Sequence, residues 1–185
     1  MDIRITTKQV LKVLEVLSWI IFIGLCIDAG GLLVNTFITL FVNPDAVAHF
    51  WTGGDYLSQV YRFDQGHFIA VTVIMNIVAI LKAIMFYLIL KLFTKGRLDI
   101  ARPFNRDLIK FMLMFSYMAL GIGFFSQFGL KYTGWLTEKG LGVANMEALK
   151  MGGADVWLFM TVLLFVIVQI AKRGMELQSE NDLTI

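Results

Sequence analysis

The chain has one cysteine, two prolines and two histidines in 185 residues. Each scarcity removes a class of chemistry. A lone Cys26 forms no internal disulfide and no CxxC redox pair, so thiol–disulfide and thiol–quinone enzymes are excluded. It reads as a small buried apolar residue. His49 and His67 both fall outside the long apolar stretches, which leaves no paired axial ligands for a membrane haem. Asp45, His49 and His67 offer only loose metal-ligand spacing, so no metal or other cofactor is expected. There is no H-E-x-x-H, G-x-S-x-G or P-loop, and the chain is read as non-enzymatic. Pro44 and Pro103 lie between apolar segments, so the segments themselves are not kinked.

What is abundant is apolar length. Hydrophobic residues make up 58% of the chain, above the roughly 45–50% of soluble domains, and the mean hydropathy is +0.74. Four segments, about Val13–Phe41, Phe68–Phe93, Ile109–Lys131 and Val156–Ala171, approach or exceed the ~20 residues that cross a bilayer. The expected fold is one all-α domain, an up-down four-helix bundle integral to the membrane. A long aromatic first outer loop and a polar tail, 172–185, complete it. Ala46-Val47-Ala48 resembles a signal-peptidase site. The apolar stretch before it is far longer than the ~7–15 residues of a signal peptide, so it reads as a retained helix.

The basic residues set the expected threading. Arg4, Lys8, Lys12, Lys91, Lys95, Arg97, Arg102, Arg106, Lys110, Lys172 and Arg173 fall on one side, and Arg62, Lys131, Lys139 and Lys150 on the other. The positive-inside rule then places both termini in the cytoplasm of a bacterial inner membrane. These charges hug helix ends and mix with Asp99 and Asp107, which suits anchoring to the bilayer surface and not direct binding of nucleic acid.

Local signals mark the ends of the elements. Thr6 and Gln9 fit a capping box, Asn43-Pro44-Asp45 a helix stop, and Asp64, Asn105 and Asp155 caps for the second, third and fourth helices. Glu15 is placed to pair with Lys8 or Lys12 on the first helix. The first outer loop, about Val42–His67, holds Phe50, Trp51, Tyr56, Tyr61 and Phe63, and predicts a short helix lying on the membrane surface. The second, about Tyr132–Ala154, is glycine-rich, with a short amphipathic turn around Val143–Leu149. Gly121, Gly123 and Gly129 in the third helix, and Gly24, Gly30 and Gly31 in the first, permit close helix approach. That approach serves packing within one bundle, or alternatively self-association into a homo-oligomer.

Two opposite charges lie deep in the apolar segments. Asp28 and Lys82 have expected depths about 5 Å apart, so adjacent antiparallel helices would bring them together. A mid-membrane charge costs at least about 2.5–3.5 kcal/mol, so a partner is expected. Asn35, Asn76, Ser116, Tyr117 and Gln127 are the polar neighbours expected around the pair. It serves either as a structural ion pair or as the centre of a small transporter or channel.

The chain ends Ser179-Glu180-Asn181-Asp182-Leu183-Thr184-Ile185, a segment poorly patterned for a helix. In extended form Leu183 and Ile185 share a face suited to strand addition on a cytoplasmic protein partner. The same segment is alternatively placed to fold back, pairing Glu180 or Asp182 with Arg102 or Arg106. Ser179–Ile185, the four-segment layout and the stretch Ala101-Arg102-Pro103-Phe104-Asn105 resemble the bacterial family named domain of unknown function 2975. These are small four-helix membrane proteins that often end in Ser-Glu-Asn-Asp-Leu-Thr-Ile/Val. The resemblance implies no activity, cofactor or catalytic residue. Its members' frequent placement beside helix-turn-helix regulators implies a regulatory or stress role; here the tail and the basic inner loop are expected to form the docking face for a cytoplasmic protein partner.

Overall fold

The computed structural model describes residues 7–94 and 105–182. The Thr6 cap, the basic linker at 95–104 and the terminal Leu183-Thr184-Ile185 lie outside the described residues. The element order is α1 (Thr7–Phe41), a 3-10 turn (Pro44–His49), α2 (Gly54–Phe63), α3 (Gln65–Thr94), α4 (Arg106–Glu138) and α5 (Ala154–Asp182). Among them α1, α3, α4 and α5 are long and apolar enough to cross a membrane, as a multi-pass protein requires.

The helix ends follow local chemistry. Asn43 Oδ1 accepts from the Asp45 N–H at 3.0 Å and turns the chain out of α1. Asp64 Oδ1 accepts from His67 N at 3.0 Å, and Asn105 Oδ1 from Leu108 N at 2.7 Å, capping α3 and α4 as expected. Lys12 pairs with Glu15 at 2.9 Å on the first turns of α1. Asp155 departs from its expected role: α5 begins one residue earlier, so Asp155 lies within the first turn. The fourth helix also outruns its expected end at Ala171 by continuing to Asp182.

Consecutive long helices run antiparallel, as inter-helix contacts show. Thr36 of α1 meets Asn76 of α3, while Phe22 meets Tyr87. Ile74 of α3 lies opposite Gly129 of α4, and Leu81 opposite Gly121. Leu158 of α5 lies opposite Gly123, and Phe165 beside Tyr117. The four form an up-down bundle in which α3 packs on α1 and α4, and α5 packs on α4. Among the described residues the backbones of α1 and α5 do not meet, so one edge of the bundle is not closed by helix packing.

Glycine allows the close approaches at α4. A Cβ on Gly121 would lie 3.2 Å from Leu81 Cδ1, and one on Gly123 would lie 2.9 Å from Leu158 Cδ2. Gly24 and Gly30 on α1 have nothing within 4 Å of that position, so they take no part in packing this bundle.

The short helix α2 differs from a surface-lying one. Tyr56, Leu57 and Val60 are buried, and α2 packs on α3 and the 3-10 turn. Its apolar face therefore turns into the protein. Phe50 and Tyr61 meet Phe68 edge-on, at 6.1 and 5.1 Å between ring centroids, and tie this cap to α3.

The link between α4 and α5 is less visible in the sequence. Since Gly123 lies opposite Leu158, Ala154 begins α5 at about the level of residue 127 of α4. From there α4 continues to Glu138, about 16 Å further along its axis. Residues 139–153 must return that distance, and the last part of the segment, at Leu149 and Met151, does so inside the bundle. Leu149 and Met151 are fully buried, with Met151 Sδ seated against Gly129. Non-helical backbone at this depth needs internal hydrogen-bond partners. Met151 N donates to Met146 O at 2.9 Å, Lys150 N to Glu147 O at 2.9 Å and Leu149 N to Asn145 O at 3.0 Å. Thr52 Oγ1 donates to Ala148 O, joining the two caps.

Candidate functional site

The return segment ends at the charged residues singled out in the sequence. Asp28 is about 20 Å below the Phe41 end of α1. Its Oδ2 lies 3.1 Å from Lys150 Nζ, and its Oδ1 accepts from Trp51 Nε1 at 3.1 Å. Lys82, near the middle of α3, donates from Nζ to the Lys150 carbonyl at 2.9 Å. The same ammonium lies 5.8 Å from the Trp157 ring centroid, within reach of a cation–π contact.

The expected direct Asp28–Lys82 ion pair is therefore corrected. Lys150 stands between them, taking the carboxylate with its side chain and Lys82 with its backbone. Among the described residues Lys82 has no carboxylate within ion-pair distance. Among the same residues Asp28 is ion-paired with Lys150 alone, and Lys82 is joined to it through the Lys150 backbone.

Each member is held by a local device. Gly31 lies on α1 three residues beyond Asp28, and a Cβ there would be 3.2 Å from Trp51 Cγ. Its absence lets the indole lie against the helix and aim its N–H at the carboxylate. Lys150 adopts φ +59°, a left-handed conformation uncommon for a residue with a side chain. That conformation directs its amine and its carbonyl to different partners. Trp157 sits in the first turns of α5, which explains how a helix beginning deep in the bundle reaches Lys82.

The expected polar neighbours are not part of this cluster. Asn76 Nδ2 donates to Thr36 Oγ1 at 3.0 Å and to Thr72 O at 2.8 Å. Ser116 returns its hydroxyl to Met112 O at 2.7 Å. Tyr117 is exposed and meets Phe165 edge-on at 5.6 Å. Gln127 lines a cavity of about 190 Å³ with Met151, Gly153 and Asp155. Asn35 is half-buried on α1, and no hydrogen bond joins it to the charges. His67 is engaged elsewhere: its Nδ1 lies 2.7 Å from Tyr132 OH, and its ring stacks on Phe63 at 5.9 Å. Burial raises the Tyr56 phenol pKa above its ordinary value, and nearby Tyr132 adds to the rise.

Trp51, Lys150 and Trp157 were absent from the sequence-based site. Lys150 had one usable signal, its position between buried-type residues Leu149 and Met151 and before Gly152-Gly153. A solvated loop rarely surrounds a lysine so. At the tail, residues 179–182 continue α5 as helix where an extended segment was expected. Arg173 pairs with Glu176 at 2.9 Å, and Ser179 Oγ donates to Glu176 O at 2.7 Å. No family model, curated protein or solved structure matches this chain.

Proposed function

We propose that the chain is a small transporter or channel whose gate is the Asp28–Lys150–Lys82 cluster. The observation that carries this reading is the seating of a re-entrant, non-helical segment on mid-depth charges beside an unclosed bundle edge. Ionisable residues at such depth line solute paths more often than they decorate lipid faces. The Asp28 and Lys150 side chains keep 28% and 38% of their surface accessible, so the cluster borders the gap between α1 and α5. Displacing Lys150 would break the ion pair with Asp28 and the hydrogen bond with Lys82 together. A left-handed residue held by its contacts is a suitable place for such a two-state element.

Proteoliposomes holding the purified protein test this with radiolabelled chloride, acetate and alanine. At least one probe is expected to enter faster than into empty vesicles, with Asp28→Asn changing the rate at least several-fold. Uptake no faster than that of empty vesicles for all three would remove the gate reading.

The basic-residue asymmetry supports a bacterial inner-membrane location with cytoplasmic termini. A cytoplasmic docking role for Ser179–Ile185 is the second reading. The helical extension of α5 presents Glu176 and Ser179 beyond the apolar stretch, and so favours helix docking over strand addition. In a Cys26→Ser background, Gln59→Cys and Val143→Cys should react with an impermeant maleimide in intact cells. Ser179→Cys should react only after lysis. Labelling at position 179 in intact cells would overturn both the threading and the docking segment.

A further inference from the structure

A second site lies at the cap, apart from the charged cluster. A cavity of about 370 Å³ opens between α2 and residues 143–149, within the usual range of about 300–1,000 Å³ for small-ligand pockets. Gly53, Asp55, Tyr56, Gln59, Asn145 and Leu149 are among its lining residues. Its polar groups are set by hydrogen bonds already made. Gln59 Oε1 accepts from Gly142 N at 3.2 Å, which fixes the orientation of the amide and leaves the NH2 group to donate. Asn145 Oδ1 accepts from Glu147 N at 3.0 Å and Ala148 N at 3.1 Å, with the same consequence. These orientations follow because a backbone N–H can only donate. Asp55 makes no hydrogen bond or ion pair among the described residues. Buried Tyr56, only 7% exposed, lines the same cavity with a hydroxyl that has no partner.

The walls are fixed as well. Gly53 has φ +71°, and a Cβ there would meet Leu149 Cδ2 at 2.8 Å. Glycine thus lets the two caps close on each other while the cavity beside them remains. The lining offers two uncommitted amide donors, one uncommitted carboxylate, and apolar surface from Leu149 and Tyr56. A simple anion would meet the amides but be repelled by Asp55. A simple cation would meet Asp55 and leave both amides unmatched. A ligand bearing a carboxylate and an ammonium satisfies all three.

We propose that this cavity binds a small zwitterion of the α-amino-acid class, its carboxylate on the Gln59 and Asn145 amides and its ammonium on Asp55. The site does not depend on the gate reading, because binding here requires no passage through the bundle.

Titration calorimetry on the full chain in lipid nanodiscs tests it with L-alanine, propionate and ethylamine. Alanine is expected to bind at least about tenfold more tightly than either single-charge analogue, since each analogue leaves a polar group unmatched. Asp55→Asn, an exposed change, should weaken alanine about tenfold or more and leave the melting temperature unaltered. Asp55→Glu should retain measurable binding. Three results would each overturn the proposal: no alanine binding at millimolar concentration, equal affinity for propionate, or unchanged alanine affinity in a folded Asp55→Asn variant. Flux without alanine binding would sink this site and spare the gate; Asp55-dependent binding without flux would do the reverse.

Discussion

A double-mutant cycle of Asp28→Asn with Lys150→Met is expected to show a coupling of about 2 kcal/mol, near the upper part of the range for contacting pairs. The Asp28→Asn change alone should cost about 1–3 kcal/mol, since a partly accessible pair loses its charge partner. Lys150→Met should cost less. Asp28 would still accept from Trp51, and the Lys150 carbonyl that holds Lys82 belongs to the backbone. The parallel cycle of Asp28→Asn with Lys82→Met should couple by less than about 1 kcal/mol, since those side chains meet only through residue 150. Denaturant unfolding in mild detergent measures both cycles. A stronger coupling to Lys82 than to Lys150 would mean that the ion pair is drawn between the wrong residues.

The helices were legible because length and hydropathy are local properties. So were the caps at Asp64 and Asn105, where a side chain two or three residues away decides the turn. The return segment was not, because its position depends on how far α4 outlasts α5. The apolar run Val156–Ala171 spans only about 24 Å as a helix, but α5 makes up the length at its far end by continuing to Asp182, so that shortfall gave no sign of the return segment. Lys150 was placed in the outer loop because it sits in a glycine-rich link. Its contacts with Asp28 and Lys82 come from tertiary packing. The pair of depths computed for Asp28 and Lys82 was sound as geometry; what it lacked was a third residue able to enter between them. For a different reason, residues 179–182 are helical where an extended segment was expected. Their composition is neutral toward helix, and α5 supplies an already nucleated helix for them to extend.

Gly123 should be the least replaceable glycine of the bundle. A Cβ there would lie 2.9 Å from both Cγ and Cδ2 of Leu158 and 3.1 Å from the Leu158 backbone nitrogen. The side-chain atoms have some freedom, but the backbone atom belongs to the second turn of α5 and moves only with the whole helix. That turn carries Trp157, which faces Lys82. Enlarging position 123 should therefore push α5 outward and loosen the cluster as well as the packing. Gly123→Val is expected to cost about 1–3 kcal/mol, as overpacking does in close-packed interiors. Gly24→Ala supplies the control, because nothing lies within 4 Å of its Cβ position. Removing a mid-helix glycine there should leave stability unchanged or raise it by up to about 1 kcal/mol. Detergent unfolding of the two variants separates the cases, and Trp157 fluorescence against the other tryptophans removed reports the displacement of α5. If Gly123→Val melts with the wild type and leaves the Trp157 signal unmoved, α4 and α5 do not meet through this glycine, and the depth assigned to the start of α5 is wrong.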